Sequence, residues 1–386
     1  MTATASISGE RLYSLDAARA IAALIVVFQH WEHFLAVPAF AAAKEDSPLY
    51  WLFQPFYEKG ARAVTFFFCL SGFIFYWLYS RKVFEKTVGP ATFAVLRLSR
   101  LYPLHLLTLL AVLALQWPLI ERFGEPFIYP EHDVKHFALN FLLIQYWGFE
   151  DGFSFNGPSW SISVELFLYI AFFAACRFIR PSIWQCLALA AVGLLLARFS
   201  VLATAATPFF LGGAAYHLYR MLQSGWTPLR NIALVATMVV LWLTLPNLLN
   251  DNQPFEGIAG RAALELAQRQ FELLLFPGTV LALALSESVW KRIPWRWLHS
   301  LGNMSFGIYL LHFPLQMVFV LAALALALPA DTFTHPAALI VFIAALIALA
   351  ALSYYAFERP VMDVLRRVWK QARGKPVAKP VPVSSI

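Results

Sequence analysis

AALIVFIAALIALAALSYYAF, residues 337–357, runs for 21 residues without one charged side chain. An α-helix rises about 1.5 Å per residue, so roughly twenty such residues cross the 30 Å hydrocarbon core of a bilayer. Backbone N–H and C=O groups find no water in lipid, and a continuous apolar run satisfies them by coiling into a helix.

Outward from this stretch, apolar runs recur at about 16–37, 62–80, 101–119, 159–177, 183–200, 203–220, 230–248, 270–288 and 304–328. With 337–357 they make ten. A weaker stretch at 137–149 is too short to span and reads as a surface or dipping segment. Of the 386 residues, 60% are hydrophobic and only 13% charged, about half the charge of a soluble domain, and the mean hydropathy is +0.65. The predicted fold class is an all-α, polytopic membrane helix bundle of about ten transmembrane helices. A soluble globule is excluded.

The net charge of +7 raises the choice between a nucleic acid and a membrane face, and the placement of the charges decides it. If the N-terminus is cytoplasmic, Arg81, Lys82, Lys86, Arg97, Arg100, Arg177, Arg180, Arg220, Arg230, Lys291, Arg292, Arg296 and the tail from Arg359 all fall on one side. That side carries 20 of the 29 Lys and Arg residues, the other side 8, and Arg19 lies within the first helix. The bias follows the positive-inside rule and predicts both termini in the cytoplasm, with a bacterial inner membrane as the setting and no nucleic-acid partner. The outer loops 38–61 and 120–158 are longer and more acidic, as a cover over a substrate entrance would be. The expected organisation is a cytoplasmic segment 1–15, a transmembrane domain 16–360 and a basic cytoplasmic tail 361–386 that is disordered at its end. No cleaved signal peptide is expected. Cys69, Cys176 and Cys186 lie in or beside apolar runs without metal-ligand spacing, so they read as packing residues and no metal is expected.

Ionisable groups inside a bundle cost at least a few kcal/mol each, so those that remain are functional candidates. In the first run Arg19 and His30 are eleven residues apart, which returns to nearly the same helical face about 16 Å further on. A histidine there can act as a general base, and the plain alternative is an interhelical hydrogen bond. His33 reads as interfacial. Arg97 and Arg100 in RLSRLYP are three apart and point to one side, as a phosphate-binding pair or as a membrane anchor. In NGPSWSISVELFLYIAF, residues 156–172, Glu165 follows Trp160, Ser161 and Ser163; it can orient an imidazole, hold a hydroxyl or pair with an arginine. In LGNMSFGIYLLHFPL, residues 301–315, Tyr309 and His312 lie one turn apart and Pro314 predicts a kink. FFFCLSGFIFYW at 66–77 and FFLGGAAYH at 209–217 read as close-packing surfaces, because small residues let helices approach. Glu358 in the FERP of 357–360 reads as a structural ion-pair partner.

Together these segments resemble the acyltransferase 3 family of integral-membrane O-acyltransferases, of the O-antigen acetylase type. The resemblance rests on LDAARAIAALIVVFQH, FFFCLSGF, RLSRLYPLHLL, GPSWSISVELFLY, LGNMSFGIYLLHFPL and FERP in that order, and it covers nearly the whole chain. It implies about ten helices, an acyl-CoA co-substrate, acetyl-CoA being the expected one, reached from the cytoplasm, and a glycan or lipid-linked carbohydrate acceptor. It also implies His30 as the catalytic histidine, Arg19 as its companion, Arg97 and Arg100 as the donor-binding pair, and matching positions at Glu165 and His312. Trp160, Ser161 and Tyr309 fall in the same motifs as possible substrate or supporting residues. The enzyme class expected is an acyltransferase transferring groups other than aminoacyl groups, in a stand-alone form without an SGNH hydrolase-like domain. A rival reading is a transporter or channel whose polar stripe uses the same Arg, His and Glu residues without covalent chemistry. The lack of an internal repeat speaks against it.

Overall fold

The structure is a computed structural model that describes residues 12–248, 269, 271–290 and 296–373. The expectations for the extreme N-terminus, for the end of the tail and for Lys291 and Arg292 lie outside the described residues. Every one of the ten apolar runs is helical. They are α1 (Tyr13–Gln29), α2 (Arg62–Phe84), α3 (Pro90–Phe123), α4 (Trp160–Phe178), α5 (Ile183–Leu196), α6 (Val201–Leu222), α7 (Pro228–Leu248), α8 (Phe276–Leu285), α9 (Arg296–Ala325) and α10 (Pro336–Ser353). An eleventh, α11 (Arg359–Ala372), continues α10 through a π-helical turn at Tyr354–Glu358. No strand occurs among the described residues, and the chain is an integral membrane protein.

Six of these helices, counting the continuous 336–372 segment as one, are long and apolar enough to cross a bilayer by themselves. α1 is shorter than its apolar run, because the helix stops at Gln29 and His30 takes the C-cap position before a separate turn at Glu32–Leu35. The single helix expected over 16–37 is therefore broken at the histidine. α9 instead stays helical through Pro314 to Ala325. The weak stretch at 137–149 holds only a short helix, Val134–Phe141, pinned where the carbonyl of Asn140 meets His105 Nε2 at 2.8 Å.

Two glycines explain the tightest crossing in the bundle. A Cβ on Gly72 of α2 would lie 1.7 Å from the backbone oxygen of Phe209, and one on Gly212 of α6 would lie 1.9 Å from that of Cys69. The two small-residue runs noted in the sequence thus pack on each other, backbone to backbone, as glycine permits. α6 packs on its other flank against α5. α1 lies against α9, where Gly302 meets the backbone of Asp16.

The start of α1 is fixed by a carboxylate from elsewhere in the chain. Glu287 accepts from the backbone N–H groups of Tyr13 and Ser14 at 3.0 and 3.1 Å, and from the Ser14 hydroxyl at 2.9 Å. A negative group on the otherwise unsatisfied N–H groups of a helix start is favourable for both hydrogen bonding and the helix dipole. This clamp sets the register of α1 and hence of Arg19 and His30.

Candidate active site

Helices α1, α2, α3, α4 and α9 line a partly open cleft. Its polar lining comes from Arg19, Ser71, Arg97, Arg100, Glu165 and Tyr309, with Ser161 and Ser305 beside them. The spacing of Arg19 in α1, of Arg97 and Arg100 in α3 and of Glu165 in α4 brings four charged side chains into one space. In an apolar bundle such charges persist only when they offset one another or hold a ligand.

Glu165 is held by two hydroxyls, Ser71 Oγ donating at 2.7 Å and Tyr169 donating from one turn along α4. Its hydrogen bonds go to these hydroxyls and its charged neighbours in the cleft are arginines, so of the three roles left open by the sequence, orienting an imidazole is the one the contacts do not support. Arg19 carries an ion pair to Asp16 at 3.5 Å. Arg97 is buried, with its guanidinium 4.5 Å from the ring centre of Tyr79 and 4.9 Å from that of Phe75, and it donates to the Tyr79 hydroxyl. Arg97 and Arg100 both line the cleft, but their surroundings differ. Arg97 is boxed in by rings at the cleft wall, whereas Arg100 also opens onto a neighbouring cavity. Ser161 donates to the Tyr309 hydroxyl at 2.7 Å, since the Tyr309 proton is taken by the carbonyl of Pro158. Trp160 does not line the cleft; its ring packs on Tyr146 and Phe68.

His30 lies outside the cleft lining, joined to it through the Tyr309–His312 turn of α9. Three imidazoles stack there. The ring centres of His30 and His33 are 4.9 Å apart, as are those of His30 and His312. His312 Nδ1 faces the carbonyl oxygen of Tyr309, which can only accept, so this nitrogen carries the proton. His312 Nε2 is then a lone pair, 3.0 Å from His30 Nδ1, which must donate to it. The unprotonated nitrogen of His30 is consequently Nε2. That is the tautomer a general base needs.

Gln316 braces the stack from one turn beyond His312. Its Nε2 donates to the carbonyl of His30 at 2.7 Å and its Oε1 accepts from His33 Nδ1 at 3.0 Å. Tyr129 reaches His33 Nε2 at 3.3 Å. His33, read from the sequence as interfacial, is buried among protein groups. Gln316, Ser71, Tyr169 and Glu287 are partners that the sequence pattern does not single out. Gln316 carried a usable signal, an amide one turn after His312 in an apolar helix; Ser71 and Tyr169 differ little from ordinary packing residues.

A separate group of possible metal ligands, Glu131, Asp133 and His136, brings its ligand atoms within 4.8 Å of one another in the segment that follows α3. His136 Nδ1 meets Asp133 at 2.9 Å and its Nε2 accepts from the Asp151 N–H at 3.2 Å. Both ring nitrogens are thus engaged by protein, and the group serves as a clasp for the loop.

A family model described as an acyltransferase domain matches residues 12–355. The chain belongs to the acyltransferase 3 family. Acyltransferase 3 membership covers the cleft and the imidazole stack alike, and it disfavours the transporter reading. Protein 2 in the picA locus of Rhizobium radiobacter is 37% identical over 100 residues, which are 26% of this chain and 43% of that protein. Acyltransferase MdmB of Streptomyces mycarofaciens is 33% identical over 135 residues, 33% of each chain. The matches span less than half the length of these curated relatives. No solved structure matches the chain.

Proposed function

We propose that this acyltransferase 3 protein moves an acyl group, acetyl in the simplest case, from cytoplasmic acyl-CoA to a hydroxyl of an envelope glycan or other exported carbohydrate. The observation that carries the reading is the hydrogen bond from His30 Nδ1 to His312, which leaves His30 Nε2 as a base beside a charged cleft. The donor enters from the end marked by Arg100, and its thioester reaches toward Tyr309. His30 Nε2 takes the proton of the acceptor hydroxyl as that oxygen attacks the acyl carbonyl. The tetrahedral intermediate collapses, the carbon–sulfur bond breaks, and the proton returns from the imidazolium to the departing CoA sulfur. The products are the ester and free CoA. Arg19 supplies positive charge for the developing oxyanion, with Asp16 and Glu165 holding the local balance.

The test is purified full-length protein in detergent with acetyl-CoA and a panel of glycans, following release of the CoA thiol. Thiol release that depends on one glycan, with a matching alkali-labile ester on it, supports the reading. Release that no acceptor accelerates counts against O-acyl transfer.

A further inference from the structure

A second, smaller cavity adjoins the cleft and shares Arg100 and Phe306 with it. It lies at the junction of α3, α9 and α11 and is lined by Arg100, Asn303, Glu358, Arg359 and Arg366. Three guanidinium groups face one carboxylate, a clear excess of positive charge. Arg366 ties α11 to α3, donating from Nε to Ser99 Oγ at 3.2 Å and from Nη2 to the carbonyl of Leu96 at 3.1 Å. A guanidinium has five N–H donors, so these two bonds fix the side chain and leave others for a ligand. Glu358 accepts from Ser353 Oγ at 2.9 Å, and Arg359 is exposed.

We propose that this cavity binds the phosphate end of the acyl donor, with Arg100, Arg359 and Arg366 on the phosphates and Arg100 at the turn where the acyl-bearing arm passes into the cleft. The proposal rests on the acyl-CoA reading and moves the phosphate contacts away from Arg97. The guanidinium of Arg97 is enclosed by Phe75, Tyr79 and Phe93 and has no comparable opening onto the second cavity. Forked guanidiniums recognise phosphate oxygens through paired, charge-assisted hydrogen bonds, and several of them suit a diphosphate. The headgroup of an anionic lipid offers the same chemistry. Continuity with the cleft favours the donor, because a lipid phosphate would place no reacting group beside Tyr309.

The experiment measures binding of CoA and of acetyl-pantetheine, which lacks the phosphates, to the full chain in phosphatidylcholine nanodiscs. Arg359→Ala and Arg366→Lys are compared with the parent; the second keeps the charge but loses the fork, and thermal melting checks that each is folded. CoA binding is expected to weaken by about tenfold or more in each folded variant, with acetyl-pantetheine unchanged, and Glu358→Gln is expected to tighten CoA. Undiminished CoA binding in both arginine variants overturns the proposal while leaving the donor reading intact. Absence of CoA binding in the parent overturns the donor reading and the proposal with it. The measurement is repeated in discs that also contain phosphatidylglycerol: if the arginine variants differ from the parent only in how this lipid affects them, and not in CoA binding, the cavity belongs to lipid and the proposal is overturned.

Discussion

His312 Nε2 lies 3.0 Å from His30 Nδ1 although 282 residues separate the two in sequence, and the bond fixes which nitrogen of His30 is free. His312→Ala removes the acceptor, so His30 can turn or take the other tautomer. The expected outcome is a fall in kcat of about 100-fold, within the range for general-base catalysis, with the donor KM little changed. His312→Gln retains an acceptor oxygen near the same place and restores part of the rate. Equal rates in the alanine and glutamine variants would mean that His312 only packs.

The α2–α6 crossing predicts a stability defect remote from the chemistry. Gly72→Ala places a Cβ within 1.7 Å of the Phe209 oxygen, so the helices must part. Overpacking of this kind costs roughly 1–3 kcal/mol. A lowered melting midpoint in detergent checks it, and an unchanged midpoint would show that the crossing gives way without cost.

Arg97 and Arg100 predict opposite defects. Arg97→Ala strips a guanidinium from an aromatic box, where each cation–π contact contributes about 0.5–2 kcal/mol, and it leaves the Tyr79 hydroxyl without that partner. The expected result is a lower melting midpoint. Arg100→Ala leaves the midpoint near that of the parent and weakens CoA binding. The reverse pattern would restore the two arginines as a matched donor pair.

His132, in the loop after α3, predicts an acid-sensitive contact. Gln116 Oε1 accepts from the backbone of Phe127 at 2.8 Å, so its Nε2 must donate to His132 Nε2, 2.9 Å away. A protonated imidazole cannot accept that bond, and burial pushes the His132 pKa down to about 4. The unfolded pKa is about 6.5, so between these values the unfolded chain binds the extra proton. The stabilisation is therefore complete above about pH 6.5 and is lost as pH falls toward 4. Melting midpoints from pH 7 to pH 4.5 should fall more steeply in the parent than in His132→Gln; identical slopes would exclude the contact as a pH-dependent element.

The ten apolar helices were legible because hydropathy over twenty residues is a strong one-dimensional signal. Their ends were less so: α1 stops at Gln29, and the break at His30 leaves no mark in an apolar run that continues to Val37. Arg19, Arg97, Arg100 and Glu165 stood out because charge is rare in a membrane helix. What spacing alone misses is partnership across the chain. Nothing near Ser14 points to Glu287, and nothing near Glu165 points to Ser71, since these contacts depend on how the helices are assembled. The same holds for His33, whose burial follows from Gln316 and Tyr129 rather than from its own neighbours.

The base assigned to His30 is tested most directly by incubating envelopes from cells expressing the parent or His30→Ala with radiolabelled acetyl-CoA and counting alkali-labile label. With equal amounts of folded protein, the variant is predicted to incorporate label at least about 100-fold more slowly. Incorporation at the parental rate would contradict the account.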